Sequence, residues 1–405
     1  MCKAISNNLL TAFFFSLVNL FLPNVIYAAE EFSGYYYKGL LFTPVLGMDL
    51  SYDDNIFSQD KVTTDSIVSE VSPEMGLGHS NRYFKIDLRG SIKKKTYYSS
   101  SNDNYIDNSI RGAVYFNIRD RSKLELNASF DKSHEEKGTG FSQNHRHPIH
   151  QKSNRFRYYY ASTQFSYGNN KSLGDIRLIL SAKAHRIDNN FSISDVVNKD
   201  EYGLRAIAFL RSTSGNALFI EPSVMKIDYR SEKSGSSLDN YYYQFYLGVE
   251  KFHSRAISGV FKVGLQKKRF EAGDKEESVN FSWSFMASWE PVDYSRFFVK
   301  TENKTEDSTG FGDSVEVVLV STGWKHDFQG KYSLAIGLDV SRHDYNPGDS
   351  AEGNILATFS IGYRIRNNIT CGVGYNHMQR LSNRPLKDYE RNQLVISLKY
   401  QTGEY

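Results

Sequence analysis

From about Leu40 to Tyr400, apolar and polar residues alternate in one segment after another, each roughly ten to fifteen residues long. Between Arg82 and Lys93, for instance, Phe84, Ile86, Leu88 and Ile92 share one face, and Lys85, Asp87, Arg89 and Lys93 share the other. The same split returns as Leu124, Leu126, Ala128 and Phe130 against Lys123, Glu125, Asn127 and Asp131. It returns again as Ile176, Leu178, Leu180 and Ala182 against Arg177, Ser181, Lys183 and His185. A period of two belongs to a strand, because successive Cβ atoms point to opposite faces, whereas a helix would gather its apolar residues every third or fourth position.

The gaps between these segments are alternately short and long. Residues 79–81, 119–121, 168–172, 213–215, 253–254, 291–293, 328–330 and 367–368 read as tight turns. Residues 53–66, 99–104, 133–152, 188–199, 231–238, 271–276, 306–312, 346–351 and 381–387 read as longer connections. This organisation predicts an all-β fold: a single transmembrane antiparallel β-barrel of about 18 strands, with 16 or 20 as neighbouring counts. Short turns belong to the periplasmic side of such barrels and long loops to the outside, so both termini are expected in the periplasm. Residues 30–39 are too few to form a plug domain.

The amino terminus predicts a secretory signal peptide over residues 1–28. Lys3 supplies its positive region, Leu9 to Leu22 its apolar run, and Ala28 and Ala29 the small residues at the cleavage site. The remaining divisions are a short periplasmic segment (29–39), the barrel (40–400) and a tail (401–405). Removing the signal peptide removes Cys2 and leaves Cys371 alone, so no intramolecular disulfide can form.

Composition agrees with a barrel and excludes a bundle of apolar helices. The chain is 40% hydrophobic with a mean hydropathy of −0.50, as expected when only alternate strand residues meet lipid. Its 28 Tyr and 27 Phe suit strands and the aromatic girdles of membrane barrels. The formal charge of +3 gives no reason to expect a nucleic-acid partner.

Candidate chemistry lies on the polar faces. The residues expected to line a lumen and substrate path are Lys85, Arg89, Lys93, Arg111, Lys123, Arg177, Lys183, Arg205, Arg211, Lys262, Lys268, Lys300, Arg364 and Arg366. Fewer acids are assigned there: Asp87, Glu125, Asp131, Glu250, Glu302, Glu316 and Asp339. A basic surplus in a confined aqueous wall would concentrate anionic solutes. Tyr83, Tyr115, Tyr159, Tyr242 and Tyr246 are expected on the same face, where their rings suit saccharides.

The histidine-rich connection holds His134, Glu135, Glu136, His145, His147 and His150 without a fixed ligand spacing, and it reads as a solvated outer loop. Asp53, Asp54 and Asp65 read as a solvated first loop. No catalytic motif, metal site or cofactor site is expected.

The stretches Phe42-Thr43-Pro44-Val45, Tyr52-Asp53-Asp54-Asn55-Ile56-Phe57 and Ser72-Pro73-Glu74, followed by Tyr97-Tyr98 and His134-Glu135-Glu136-Lys137-Gly138, carry a family resemblance. They resemble the outer-membrane β-barrel porins encoded with bacterial capsule and exopolysaccharide synthesis systems. The match covers roughly residues 41–140. The resemblance implies a barrel embedded in outer-membrane lipid that takes part in export or assembly of an acidic surface polysaccharide, alongside periplasmic polysaccharide-export proteins. Two other readings stand beside it: a general or oligosaccharide uptake porin, and a non-conducting receptor barrel that binds surface glycan through its loops.

Overall fold

The computed structural model describes residues 34–144, 153–168, 172–189, 193–212, 216–230, 238–251, 256–272, 275, 277–307, 313–346 and 348–402. The expected signal peptide and His145, His147 and His150 lie outside these residues.

Eighteen strands close into one antiparallel ring. The first six are β2 (Leu40–Asp53), β3 (Ser66–Ser80), β4 (Phe84–Tyr97), β5 (Tyr105–Arg119), β6 (Ser122–His134) and β7 (Arg155–Tyr167). They continue through β8 (Gly174–Ile187), β9 (Lys199–Arg211), β10 (Asn216–Tyr229), β11 (Asn240–Lys251), β12 (Ile257–Phe270) and β13 (Ser278–Val292). The ring ends with β14 (Ser295–Asp307), β15 (Ser314–Phe328), β16 (Tyr332–Asn346), β17 (Ala351–Arg366), β18 (Ile369–Ser382) and β19 (Tyr389–Gln401). Each strand pairs with its sequence neighbours, and β19 closes on β2 with Gln393 opposite Asp53 and Gln401 opposite Val45. The expected strand count and the alternation of short and long connections are both realised.

A nineteenth strand, β1 (Tyr35–Tyr37), lies outside the ring. It folds back on Leu40–Phe42 of β2 through a two-residue turn in which Lys38 and Gly39 have φ of 49° and 80°. Positive φ at both central residues matches the right-handed twist of a hairpin. β1 occupies the edge of β2 just past the point where β19 ends. Both described ends of the chain therefore lie at the short-turn end of the barrel.

The outer face is apolar. Leu394, Ile396 and Leu398 on β19 and Met48, Leu50 and Tyr52 on β2 are exposed, and their register places them side by side. An apolar belt of this extent far exceeds the patches soluble proteins leave in water. Ring strands run from 12 to 16 residues, more than the roughly nine to eleven that cross a hydrocarbon layer, so their ends extend beyond such a belt.

Two face assignments change. Tyr159, expected inside, is opposite Phe130 with ring centroids 5.1 Å apart, on the apolar outer face; Tyr158 and Tyr160 point inward instead. The run Tyr158-Tyr159-Tyr160 has no polarity contrast, so its parity was open to a one-residue slip. Glu316 has the parity of Val318 and exposed Val320, and it accepts a hydrogen bond from Asn303 near the long-loop end.

Candidate functional site: a latched segment at the barrel mouth

The segment after β6 turns back into the barrel mouth. The Glu135 carboxylate accepts the Phe141 and Ser142 backbone N–H groups (2.6 and 3.0 Å) and the Asn154 side-chain amide (2.6 Å), closing residues 135–142 into a compact turn. Phe141 then packs with Phe156 of β7, Ile187 of β8 and Val197. Burial pushes the Glu135 carboxyl up to about 8, against the pull of those three hydrogen bonds.

Glu136 faces the opposite way and meets two cations, Lys95 of β4 at 2.7 Å and Arg391 of β19 at 2.8 Å. Burial acts to raise its carboxyl; Lys95 and Arg391 outweigh it and hold Glu136 well below the usual carboxylate range. Arg391 is almost completely buried, and its fork also donates to Asp53 of β2, with Nη2 at 2.6 Å. Lys137 pairs with Asp103 at 2.7 Å and lies over the Phe57 ring at 5.0 Å. The Gly138 carbonyl accepts from Arg380 of β18 at 3.1 Å. Lys95, Lys137 and Arg391 thus face Asp53, Asp103 and Glu136, so the cluster balances in charge, as buried ions require.

This segment spans the mouth as a chord. In ring order β18 is reached from β6 through β5, β4, β3, β2 and β19, so the two ends are six strands apart, a third of the eighteen-strand circle. Gly138 is required at its crossing point. Its φ is +76°, and a Cβ there would lie 2.0 Å from the Phe57 carbonyl oxygen.

The first loop supports the same assembly. Asp54 accepts the Asn392 backbone N–H (2.7 Å) and side-chain amide (2.8 Å), and the Asn55 amide donates to the Glu390 carbonyl at 2.8 Å. Asp53, Asp54 and Asn55 therefore bind consecutive residues of the last strand and clamp the seam where the ring closes. Ile56, Phe57, Val68 and Tyr97 pack beneath them, with Tyr105 alongside.

Two expectations are corrected here. The start of the first loop and residues 134–142 are not solvated: Asp53, Asn55, His134, Glu135 and Lys137 are all buried, whereas residues 60–63 and Asp65 are exposed as expected. Asp53, Asn55 and Glu136 find partners on the last strand, which local polarity does not reveal, and Glu135 is satisfied within its own turn and by Asn154. His134 engages Asp107 at 3.0 Å, while Glu135 and Glu136 turn to different partners. Among the described residues no set of three metal-ligating side chains converges.

The expected lumen residues fall on the inner wall, but most are paired. Arg89 meets Asp87 and Glu74, Lys93 meets Glu70, and Arg111 meets Asp131. Arg177 and Arg211 share Asp175, Lys183 meets Glu201, Arg205 and Lys262 share Glu221, and Lys268 meets Asp307. Lys85 lies over Tyr115 at 5.8 Å. Arg364 is half-buried and Arg366 exposed where β17 ends. The basic surplus is offset because Glu70, Glu74, Asp175, Glu201 and Glu221 share the inner wall.

The inner wall is uneven. On β9 to β12 inward side chains pack on one another: Phe209 beside Phe219 at 5.4 Å, Tyr242 hydrogen-bonded to Gln266, Tyr246 to Ser282. Gly248 makes room for Phe219, whose ring a Cβ would approach to 2.2 Å. On β4 and β5 the inward arginines are open, with Arg89 and Arg111 side chains 41% and 69% exposed.

A closed eighteen-strand barrel with an apolar exterior and a charged interior defines a porin-like β-barrel, the kind of fold found in bacterial outer membranes. The chain belongs to the family described as "Putative beta-barrel porin 2", whose model matches residues 30–402. No curated protein matches this sequence. Among solved structures it is similar to OccK2 (OpdF) of Pseudomonas aeruginosa, at 9% identity and a TM-score of 0.49 over 90% of this chain and 98% of that one. It is also similar to the siderophore receptor PirA of Acinetobacter baumannii, at 8% identity and a TM-score of 0.49 over 92% of this chain and 81% of that one.

Proposed function

We propose that this protein is an outer-membrane channel through which small hydrophilic solutes cross passively, entering past a mouth narrowed by residues 135–144. The observation that carries this reading is the chord from β6 to β18, held by Arg391 and Arg380. A barrel of this strand number is wide enough for an aqueous channel unless side chains or loops fill it. Here they fill part of it, leaving the β4–β5 side as the open wall. In this reading the short turns and both termini face the periplasm, and the signal peptide is removed on export.

Polysaccharide export is the second reading. Its support is the resemblance over residues 41–140, some of whose residues, Asp53-Asp54-Asn55, Phe57, Tyr97 and 134–138, meet in the latch. What favours small solutes over a polymer is the latched segment itself and the pairing of the inner-wall cations. Solute flux into proteoliposomes, graded from monosaccharides to long oligosaccharides, separates the two. Passage limited to the small sugars supports the first reading, and passage of long acidic oligosaccharides supports the second.

A further inference from the structure

We propose that Lys132, Arg155 and Arg157 form a docking site, on the lipid-facing side of the barrel, for a membrane lipid with an anionic, phosphate-bearing headgroup. This rests on the outer-membrane placement of the barrel and not on conduction. The outer face of β6 and β7 carries Leu124, Leu126 and Phe130 against Phe165 and Tyr159. The next row toward the long loops pairs Lys132 with Arg157, and Arg155 shares their face one step beyond. From exposed Tyr167 at the short-turn end to exposed Tyr159 the strand covers about 27 Å. At the usual tilt that is about 20 Å of height, close to the roughly 25 Å apolar band of outer-membrane barrels. The two tyrosines thus mark the edges of the band, and the three cations stand where hydrocarbon gives way to headgroups.

The positive charge there is not cancelled. Lys132 is directly opposite Arg157, and Arg157 is directly opposite Arg186, so three cations share one row, and like charges in that relation repel. Two acids answer them: Asp188 pairs with Arg157 at 2.5 Å, and Asp200 is taken up by Arg186 together with Arg230. Asp107 and Asp131 are on the inner face, engaged by His134 and Arg111. Lys132 and Arg155 have no carboxylate partner among the described residues, and residues 145–152, which lie outside them, contain no acid. Outward cations elsewhere near the long loops are matched. Lys226 meets Asp228 at 2.7 Å, Lys267 and Arg269 share Glu277, and Arg342 meets Asp344 at 2.9 Å. The excess is therefore local to β6 and β7. Arg155 is exposed and the Arg157 side chain is 43% exposed, on a face that no strand covers. A phosphate seated there accepts from the Lys132 ammonium and both guanidinium groups and relieves the repulsion along the row, while its acyl chains lie along Phe130, Tyr159 and Leu126.

The test titrates the full barrel, refolded in a neutral detergent, with short-chain phosphatidic acid, the matching phosphatidylcholine and inorganic phosphate, and counts bound lipid by native mass spectrometry. The expected result is saturable binding of phosphatidic acid and none of phosphatidylcholine. Binding should be about tenfold weaker in Lys132→Gln and in Arg155→Gln, and unchanged in Arg342→Gln. Asp188→Asn, which removes the acid beside Arg157, should bind more tightly. Equal affinity for phosphatidic acid in wild type and both weakened variants overturns the site. Phosphatidylcholine binding as tight as phosphatidic acid reduces it to contact with the apolar belt and overturns it too. Inorganic phosphate that displaces the lipid at equal concentration makes it a site for soluble anions and rejects the lipid assignment. Single-channel recordings on the same preparations keep the channel reading separate: cation-dependent lipid binding in a barrel that never conducts leaves the site standing and rejects the channel, and conduction without such binding does the reverse. Retained heat-modifiable migration of each variant shows that its barrel is folded.

Discussion

Arg391 donates to Glu136 at 2.8 Å although 255 residues separate them in sequence, and the same guanidinium grips Asp53 at 2.6 Å. One side chain thus joins the last strand, the first ring strand and the segment that crosses the mouth. A single buried cation ties the closing seam of the ring to the segment that narrows the mouth.

Replacing Arg391 with methionine keeps the volume and removes the charge, leaving Asp53 and Glu136 buried without their shared partner. Breaking a buried pair from one side costs about 3–5 kcal/mol, enough to release the segment rather than keep two carboxylates there. Limited proteolysis should then cut within residues 135–144 of Arg391→Met and spare the wild type, with the barrel core resistant in both. Equal resistance of the two proteins would show that Arg391 is not the latch.

Gly138→Ala attacks the same contact sterically. A methyl group placed 2.0 Å from the Phe57 carbonyl cannot be accommodated, and the backbone at φ +76° disfavours alanine independently. The expected result is the same proteolytic opening with no loss of the barrel. Gly330 also has positive φ (+69°), with open space around its Cβ position, so Gly330→Ala controls for backbone strain alone.

Acidity should tune the latch through its two glutamates with opposite signs. Burial places the Glu135 carboxyl at about 8, above its ordinary 4.5, so the folded segment holds that proton more tightly than a released one does. Its stabilising contribution is complete below about 4.5 and is lost as pH rises through about 8. Glu136 is held below the ordinary value despite its burial, by Lys95 and Arg391, so its contribution persists at neutral pH and fails only in strong acid. The segment should therefore become more accessible to protease between pH 6 and pH 9, measured with an enzyme active across that range. Glu135→Gln should abolish this rise, and an undiminished rise in that variant would reject the assignment.

The assignment of faces yields a paired test on neighbouring residues. Ile396 is exposed on the apolar outer face and Ser397 points inward. Arginine at a lipid-facing midplane position costs about 2–4 kcal/mol, whereas the inner wall already carries many charges. Unfolding of Ile396→Arg in lipid vesicles should occur at clearly lower denaturant than unfolding of Ser397→Arg. The reverse order would mean the faces are exchanged.

Much of this architecture was legible in the sequence because each strand carries its own two-residue period. Phe84 to Lys93 declares its faces without reference to any other strand. The latch was not legible, since polarity places Asp53 and Glu136 on a surface, and only the partners Lys95 and Arg391, on β4 and β19, explain their burial. A signal was nevertheless present: three of the stretches that carry the family resemblance, around Asp53 to Phe57, Tyr97 and His134 to Gly138, meet there. The balance of charge on the inner wall was missed for a similar reason, because Glu201 and Glu221 cancel Lys183 and Arg205 on adjacent strands that a strand-by-strand reading treats separately.

Single-channel conductance in planar bilayers tests at once whether the barrel conducts and whether residues 135–144 narrow it. Wild-type protein should show discrete openings and Arg391→Met distinctly larger ones at the same salt. Identical conductance in the two proteins, or no conductance in either, would contradict this.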